Sequence, residues 1–213
     1  MEELTIISPA PVVPKPPEHV PDGRRTAALQ IGRLITEERQ SLCLLRVISA
    51  AGVMAHATTD FIEGQPVAVG FRSSHVLRGE VRWIRKRLIG IAFDQLVDIE
   101  VLTALQRRAV EGRFLPESVR LDVHGTATID ADGERISTEL FDISLAGAKI
   151  GDSPALRVDM GVTVNVPGLP PRSGSIRWQT DGRAGIAFNL GMPYEVLSQW
   201  ILRQPPRVTL SSL

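Results

Sequence analysis

Apolar and polar residues alternate with a period of two over many short stretches, which is typical of β-strands with one buried face. In the C-terminal half the longest stretch runs from Arg135 to Ile143, and another pair of stretches flanks Asp181-Gly182. Asp-Gly between two alternating stretches predicts a tight hairpin. In the N-terminal half we predict strands at residues 28–35, 41–48, 52–56, 66–72, 76–84 and 88–93.

The chain contains an internal repeat. Residues 46–102 align without a gap with residues 141–197, and 16 of these 57 positions are identical. The identities include the blocks Ile-Ser-x-Ala-Gly, Gly-x-x-Arg-Trp and Gly-Ile-Ala-Phe. Because a repeat fixes the unit of folding, we expect two similar domains. Several short antiparallel strands in each copy favour a small barrel, since closing the sheet removes its open edges.

Each copy ends in a stretch whose apolar residues have helical spacing. These residues are Ile99, Leu102, Leu105 and Ala109 in the first copy and Tyr194, Leu197, Trp200 and Ile201 in the second. Pro193 suits the start of a helix. A short helix with one apolar stripe must bury it, and we expect it to cover the open end of its own barrel. The predicted fold is mainly β, with two tandem six-stranded antiparallel barrels, each followed by a short C-terminal α-helix.

We divide the chain into four segments. Residues 1–22 contain six prolines and little that could form a core, so we expect an extended or disordered tail. Residues 23–106 form the first barrel with its helix, and residues 107–204 form the second. Residues 205–213 are a C-terminal tail.

Composition restricts the partners. The formal net charge is zero, so no overall field favours DNA, RNA or a membrane surface. We find no signal-peptide pattern and no apolar run long enough to span a bilayer, and we expect a cytoplasmic protein without membrane insertion. The single cysteine, Cys43, lies in an apolar run. It fits a buried thiol in a reducing compartment.

Residue types and spacings give no support for catalysis. The four histidines have no metal-ligand spacing, and no second cysteine exists to form a pair. Motifs for a nucleophile elbow, a zinc protease or a phosphate-binding glycine loop are missing from the sequence. We therefore expect a protein that is not an enzyme and that uses neither a cofactor nor a metal.

The two copies differ at one position where chemistry could lie. The second copy reads Asp142-x-Ser144-x-x-Gly147, whereas the first has Val47 in place of the aspartate but keeps the serine and the glycine. Retention of serine and glycine in both copies favours a structural turn for these two residues. Asp142 is then the residue that separates a ligand site from a turn, because valine cannot accept a hydrogen bond.

An arginine cluster, Arg107, Arg108 and Arg113, precedes the second copy. With Asp142-x-Ser144-x-x-Gly147, the Gly-x-Ile-Arg-Trp and Gly-Ile-Ala-Phe strands and the closing helix, residues 107–203 resemble a PilZ domain. Residues 24–105 resemble the family in framework only. PilZ domains are six-stranded barrels that commonly serve as receptors for cyclic di-GMP. Their ligand motif combines Arg-x-x-x-Arg before the first strand with Asp/Asn-x-Ser-x-x-Gly after the second.

The resemblance implies that cyclic di-GMP is bound by Arg107, Arg108, Arg113, Asp142, Ser144 and Gly147. The arginines depart from the family pattern, since Arg113 follows the other two by five and six residues rather than four. Arginine can pair with phosphate or with the O6/N7 edge of guanine, and a carboxylate can accept from guanine N–H groups. The structural alternative for Arg107 and Arg108 is a helix end, where cations favour the dipole.

Two functional hypotheses follow. In the first, the chain is a bacterial cyclic di-GMP receptor that binds the dinucleotide at the second barrel and relays it by domain reorientation to a downstream protein partner. In the alternative, both barrels are ligand-free modules of an adaptor that acts through protein–protein interaction. Val47 and the spacing of the arginines favour the alternative, and Asp142 favours the receptor. An enzyme ranks below both.

Overall fold

The computed structural model describes residues 26–71, 75–98, 100–101, 118–205 and 209–213, with side chains from residue 30 onward. The first half forms a closed barrel of antiparallel strands in the order β1-β2-β3-β6-β5-β4. Its strands are β1 (Thr26–Ile35), β2 (Gln40–Ser49), β3 (Gly52–Ala57), β4 (Pro66–Gly70), β5 (Val76–Arg85) and β6 (Leu88–Phe93). Each strand predicted in this half is therefore confirmed, with small shifts at its ends.

The second half forms another closed barrel, in the order β10-β11-β12-β9-β8-β7. Its strands are β7 (Leu121–Ala131), β8 (Glu134–Ile143), β9 (Gly147–Gly151), β10 (Gly161–Asn165), β11 (Arg172–Thr180) and β12 (Arg183–Phe188). The two barrels have the same neighbours at equivalent positions, so the sequence repeat is also a repeat of topology. The predicted fold class of two six-stranded antiparallel barrels is confirmed.

Register irregularities also recur at equivalent positions in the two barrels. A shift between Leu45 and Val47 on β2 corresponds to one between Leu140 and Asp142 on β8. Such a β-bulge turns the side chains that follow it and bends the strand. The bulge on β8 therefore lies directly before Asp142 and helps to set the direction in which its side chain points.

The predicted hairpin at Asp181-Gly182 is confirmed. Both residues have positive φ angles, 50° for Asp181 and 70° for Gly182, and they join β11 to β12. Positive φ at both central residues is the geometry of a type I′ turn, whose twist matches that of the flanking strands. On its other side, β12 pairs with β9.

A helix, α1 (Tyr194–Ile201), follows the second barrel, and Pro193 is its N-cap, as predicted. Leu197, Trp200 and Ile201 are buried in the core of that barrel, and the indole N–H of Trp200 donates to the carbonyl of Pro167 at 2.9 Å. After the first barrel, residues 100 and 101 are helical. The rest of the helix predicted there lies outside the described residues.

The two barrels contact each other. Leu42 of β2 is 1% exposed and packs in the core of the second barrel, with Ile31 beside it. The chain end returns to the first barrel in a 3₁₀ turn, Leu210–Ser212. Leu210 packs against Ile35, and its carbonyl accepts from Arg78 at 3.0 Å. The C-terminal tail expected at residues 205–213 thus includes an ordered contact.

The predicted tail of residues 1–22 lies outside the described residues, so its disorder and the four segment boundaries stay predictions. Within the described ranges, no helix has the length and the apolar character needed to cross a membrane.

Candidate functional site

Asp142 is the buried acid of the second barrel. Its side chain is 2% exposed, and both carboxylate oxygens are engaged. Oδ1 lies 2.5 Å from Nη1 of Arg120, and Oδ2 lies 2.5 Å from Nζ of Lys149. A carboxylate taken out of water is tolerated only when cations or hydrogen-bond donors replace the water. Arg120 and Lys149 supply that replacement.

Strand register brings the three side chains together. Asp142 on β8 lies opposite Lys149 on β9 and opposite Asp122 on β7. Arg120 immediately precedes β7, two residues before Asp122. Two neighbouring strands therefore supply the acid and one cation, and the second cation comes from the segment that leads into the strand on the other side of the acid.

The two cations form the accessible part of this cluster. The side chains of Arg120 and Lys149 are 30% and 27% exposed, whereas Asp142 is almost completely covered. Two positive charges face one negative charge, so the trio has an excess of positive charge at its rim. An anion arriving from solvent would meet the guanidinium and ammonium groups first.

Ser144 and Gly147 hold the turn after β8. The Ser144 hydroxyl donates to the Gly147 carbonyl at 3.2 Å and accepts from the Ala146 N–H at 3.2 Å. The first barrel repeats the main contact, because the Ser49 hydroxyl donates to the Gly52 carbonyl at 3.1 Å. This geometry agrees with the structural interpretation of the serine and the glycine.

Glycine is required at both turns because two backbones meet there. A Cβ at Gly147 would overlap the carbonyl oxygen of Ile186 on β12, and one at Gly52 would overlap that of Ile91 on β6. Backbone cannot move aside as a flexible side chain can. Gly147 therefore lets β9 approach β12 closely, which fixes Lys149 two residues further along β9.

The first barrel lacks the charged cluster. Val47 lies opposite Met54, at the positions that Asp142 and Lys149 occupy in the second barrel. Neither side chain is ionisable, so this pair offers no acceptor to a guanine and no cation to a phosphate. The two barrels therefore differ in chemistry at a position where their strand pairing is the same.

Sequence reasoning selected Asp142 but missed both of its cations. The signal for Lys149 was present, because the copy that has an acid at one position has a lysine seven residues later, where the other copy has methionine. Arg120 could be found only from the pairing of β7 with β8. The predicted ligand residues Arg107, Arg108 and Arg113 lie outside the described residues.

The tryptophans of the repeat have a packing role. Trp83 lies opposite Gly90 and Trp178 opposite Gly185. A Cβ at either glycine would overlap the indole of its partner, so each ring covers a site where the neighbouring strand has no side chain. Identical packing in both barrels supports the interpretation of these residues as fold residues.

Other chemistry has little support among the described residues. No group of histidine, cysteine, aspartate and glutamate there could hold a metal ion. Cys43 is buried, as predicted, and burial raises the pKa of its thiol to about 12. A thiol of this kind stays protonated and unreactive at neutral pH.

Comparison with known proteins gives one family. A family model described as PilZ domain matches residues 23–110 and 115–203. No curated protein matches the chain in sequence. The first match covers the strands of the first barrel, and the second match covers those of the second.

Three solved structures illustrate the similarity. Borreliella burgdorferi PlzA in complex with cyclic di-GMP is 13% identical, with a TM-score of 0.37, over 81% of this chain and 86% of that one. Bacillus subtilis MotI (DgrA), an inhibitor of motility, is 14% identical, with a TM-score of 0.36, over 82% and 94%. Escherichia coli YcgR in complex with cyclic di-GMP is 12% identical, with a TM-score of 0.31, over 82% and 81%.

Proposed function

The chain belongs to the PilZ domain family, and we propose that it is a cyclic di-GMP receptor with its ligand site in the second barrel. PilZ-domain proteins are receptors and effectors rather than enzymes, so binding is the function to test. The observation that carries the proposal is Asp142, a buried acid held between two cations. The first barrel has an apolar pair at the same place.

The chemistry of cyclic di-GMP suits this cluster. The ligand presents two phosphates and two guanines. Arg120 and Lys149 form the accessible rim and can exchange the Asp142 carboxylate for a phosphate, because both partners are anionic. A carboxylate oxygen released in this way can accept from a guanine N–H. We expect Arg107, Arg108 and Arg113 to add further contacts to phosphate or guanine.

Relay of the signal follows from the position of Arg120. Its side chain meets Asp142 in the second barrel, while its backbone carbonyl accepts from Arg33 of the first barrel at 3.0 Å. A ligand that draws Arg120 away from Asp142 acts on a residue that both barrels hold. It reorients the barrels only as far as it binds the two arrangements with different affinity. A downstream protein partner would then recognise the new arrangement.

Calorimetric titration of the full chain with cyclic di-GMP tests the proposal. We expect saturable heat and an increase in the melting temperature, since a ligand of the folded state stabilises it. Cyclic di-AMP, which has the same phosphates but different bases, should bind more weakly because Asp142 cannot accept from it in the same way. Absence of heat and of a thermal shift with excess cyclic di-GMP, for folded protein, rejects the receptor.

A ligand-free adaptor is the second candidate, and one observation favours it. The carboxylate of Asp142 is fully paired within the protein, so the acid needs no ligand to satisfy its charge. In that case the cluster only stabilises the barrel, and partner binding does not depend on cyclic di-GMP. Partner binding measured with and without the dinucleotide separates the two candidates.

A further inference from the structure

Side chains of the first barrel form hydrogen bonds and an ion pair with the segment of the second barrel that carries Arg120. Nη1 of Arg33 lies 2.5 Å from a carboxylate oxygen of Asp122 and donates to the carbonyl of Arg120 at 3.0 Å. The side-chain amide of Gln40 donates to the carbonyl of Asp122 at 2.8 Å. Two side chains of one barrel thus hold the backbone of the other on both sides of Leu121. We call Arg33 and Gln40 the clamp.

The clamp is formed by side chains that are largely buried, not by exposed surface side chains. The Arg33 side chain is only 12% exposed, and Gln40 is 2% exposed. Arg33 lies opposite Gly70 on β4, and a Cβ at Gly70 would come within 2.7 Å of Nε of Arg33. Glycine at this position leaves the space through which the arginine reaches the second barrel.

The clamp does not belong to the shared framework of the repeat. At the positions equivalent to Arg33 and Gly70, the second barrel has Thr128 and Asn165, which also face each other. At the position equivalent to Gln40 it has Arg135, whose side chain is 77% exposed. The surface that forms the clamp is therefore specific to the first barrel.

We propose that Arg33 is a positioning residue for the ligand site, and that the first barrel acts through it on Arg120. The inference rests on the proposed function and goes beyond it, because it assigns the first barrel a role in ligand binding at the second. The Arg120 backbone is fixed by Arg33, and its guanidinium is thereby aimed at Asp142. Among the described residues, the hydrogen bonds and the ion pair of Arg33 go to Gln40, Arg120 and Asp122, and not to Asp142 or Lys149.

Loss of the clamp has a definite consequence. Residues 118–120 precede β7 and form no strand of their own, so they depend on side-chain contacts for their position. Without Arg33, the Arg120 carbonyl loses a charged hydrogen-bond donor, and Arg120 can adopt more conformations. A smaller fraction of these conformations places the Arg120 guanidinium where it can contact a ligand. We expect the dissociation constant for cyclic di-GMP to increase by about fivefold or more, the lower end of typical coupling between sites.

The test compares Arg33→Met with a matched control, Arg82→Met. Arg82 is also on a strand of the first barrel, but it pairs with Glu80 of its own strand at 3.0 Å. Titration with cyclic di-GMP should show weaker binding for Arg33→Met and wild-type binding for Arg82→Met. An unchanged dissociation constant for Arg33→Met, with wild-type protein binding normally, overturns the inference.

A second comparison separates positioning from general destabilisation. If Arg33 acts through Arg120, then adding Arg33→Met to Arg120→Met should weaken binding no further. If the double variant binds cyclic di-GMP more weakly than Arg120→Met by the same factor that Arg33→Met shows alone, Arg33 acts by another route. This result also overturns the inference.

A ligand-free measurement distinguishes failure of the inference from failure of the proposed function. Amide hydrogen exchange over residues 118–124 should be faster in Arg33→Met than in Arg82→Met. If wild-type protein binds no cyclic di-GMP, the receptor proposal fails and the ligand role of Arg33 fails with it, while faster exchange still confirms the clamp. Unchanged exchange contradicts the clamp whatever the ligand does.

Discussion

The ammonium nitrogen of Lys149 lies 2.5 Å from Oδ2 of Asp142, across the pair formed by β8 and β9. The first barrel has Met54 opposite Val47 at the same point. The copies thus differ by a matched pair of residues, an ion pair in one and an apolar pair in the other. An apolar residue in place of the lysine alone would leave the buried Asp142 carboxylate opposite an apolar partner, and a charge at a buried position is costly unless it is paired.

The matched pair predicts strong coupling between Asp142 and Lys149. Asp142→Val should lower the free energy of unfolding by about 2–3 kcal/mol, because two cations lose their shared partner. Lys149→Met should cost about 1 kcal/mol, since Arg120 still holds the acid. The double variant reproduces the pair found in the first barrel and should cost less than the two single changes together. Urea unfolding of all four proteins measures this, and additive losses would contradict the matched pair.

Gly147→Ala should destabilise the second barrel. The added methyl group would overlap the carbonyl oxygen of Ile186, and relief requires separation of β9 from β12. We expect a loss of about 2 kcal/mol or more. Gly161→Ala is the matched control, because a Cβ there meets nothing within 4 Å. Thermal unfolding of the two variants checks the difference, and equal melting temperatures would show that the strands can separate without cost.

Leu42→Ser should uncouple the barrels. Leu42 is 1% exposed in the core of the second barrel, whereas its counterpart, Ser137, is exposed. We expect a loss of about 2–4 kcal/mol, typical of removing a buried leucine side chain. Calorimetry should also resolve two unfolding transitions, because each barrel retains its own core. Ser137→Ala is the control, and a single unshifted transition for Leu42→Ser would contradict the interface.

Cys43 predicts a dependence of stability on pH. Burial raises the pKa of its thiol from 9.0 to about 12. Between these values the unfolded chain releases the proton and the folded protein keeps it, so the free energy of unfolding decreases as pH rises through this window. In urea unfolding above pH 9.0, the free energy of unfolding of Cys43→Ala should decrease less steeply with pH than that of the wild type. Equal slopes for wild type and variant would mean that the thiol is not buried in solution.

The barrels themselves were accessible to sequence reasoning. Alternation predicted the strands, Asp181-Gly182 predicted the hairpin, and the spacing of Leu197, Trp200 and Ile201 predicted α1. These features are local, because they depend on residues a few positions apart. The repeat added the expectation of two similar domains, since one unit of folding occurs twice.

Contacts between distant segments were not accessible in the same way. Arg120 meets Asp142, 22 residues away, and Arg33 meets Asp122, 89 residues away. Such contacts depend on strand register and on the packing of one barrel on the other, neither of which leaves a periodic pattern. Only the comparison of the two copies gave a sign of such contacts, because the second copy has Lys149 at the position equivalent to Met54 in the first.

Calorimetric titration of cyclic di-GMP into wild-type protein and into the Asp142→Val/Lys149→Met variant tests the central claim most directly. The variant carries the apolar pair that the first barrel already packs, so it should stay folded while losing the acid and one cation. We predict saturable binding to the wild type and a loss of at least about 100-fold in affinity in the folded variant, equivalent to roughly 2.7 kcal/mol. Equal binding by the two proteins would contradict a ligand site at Asp142.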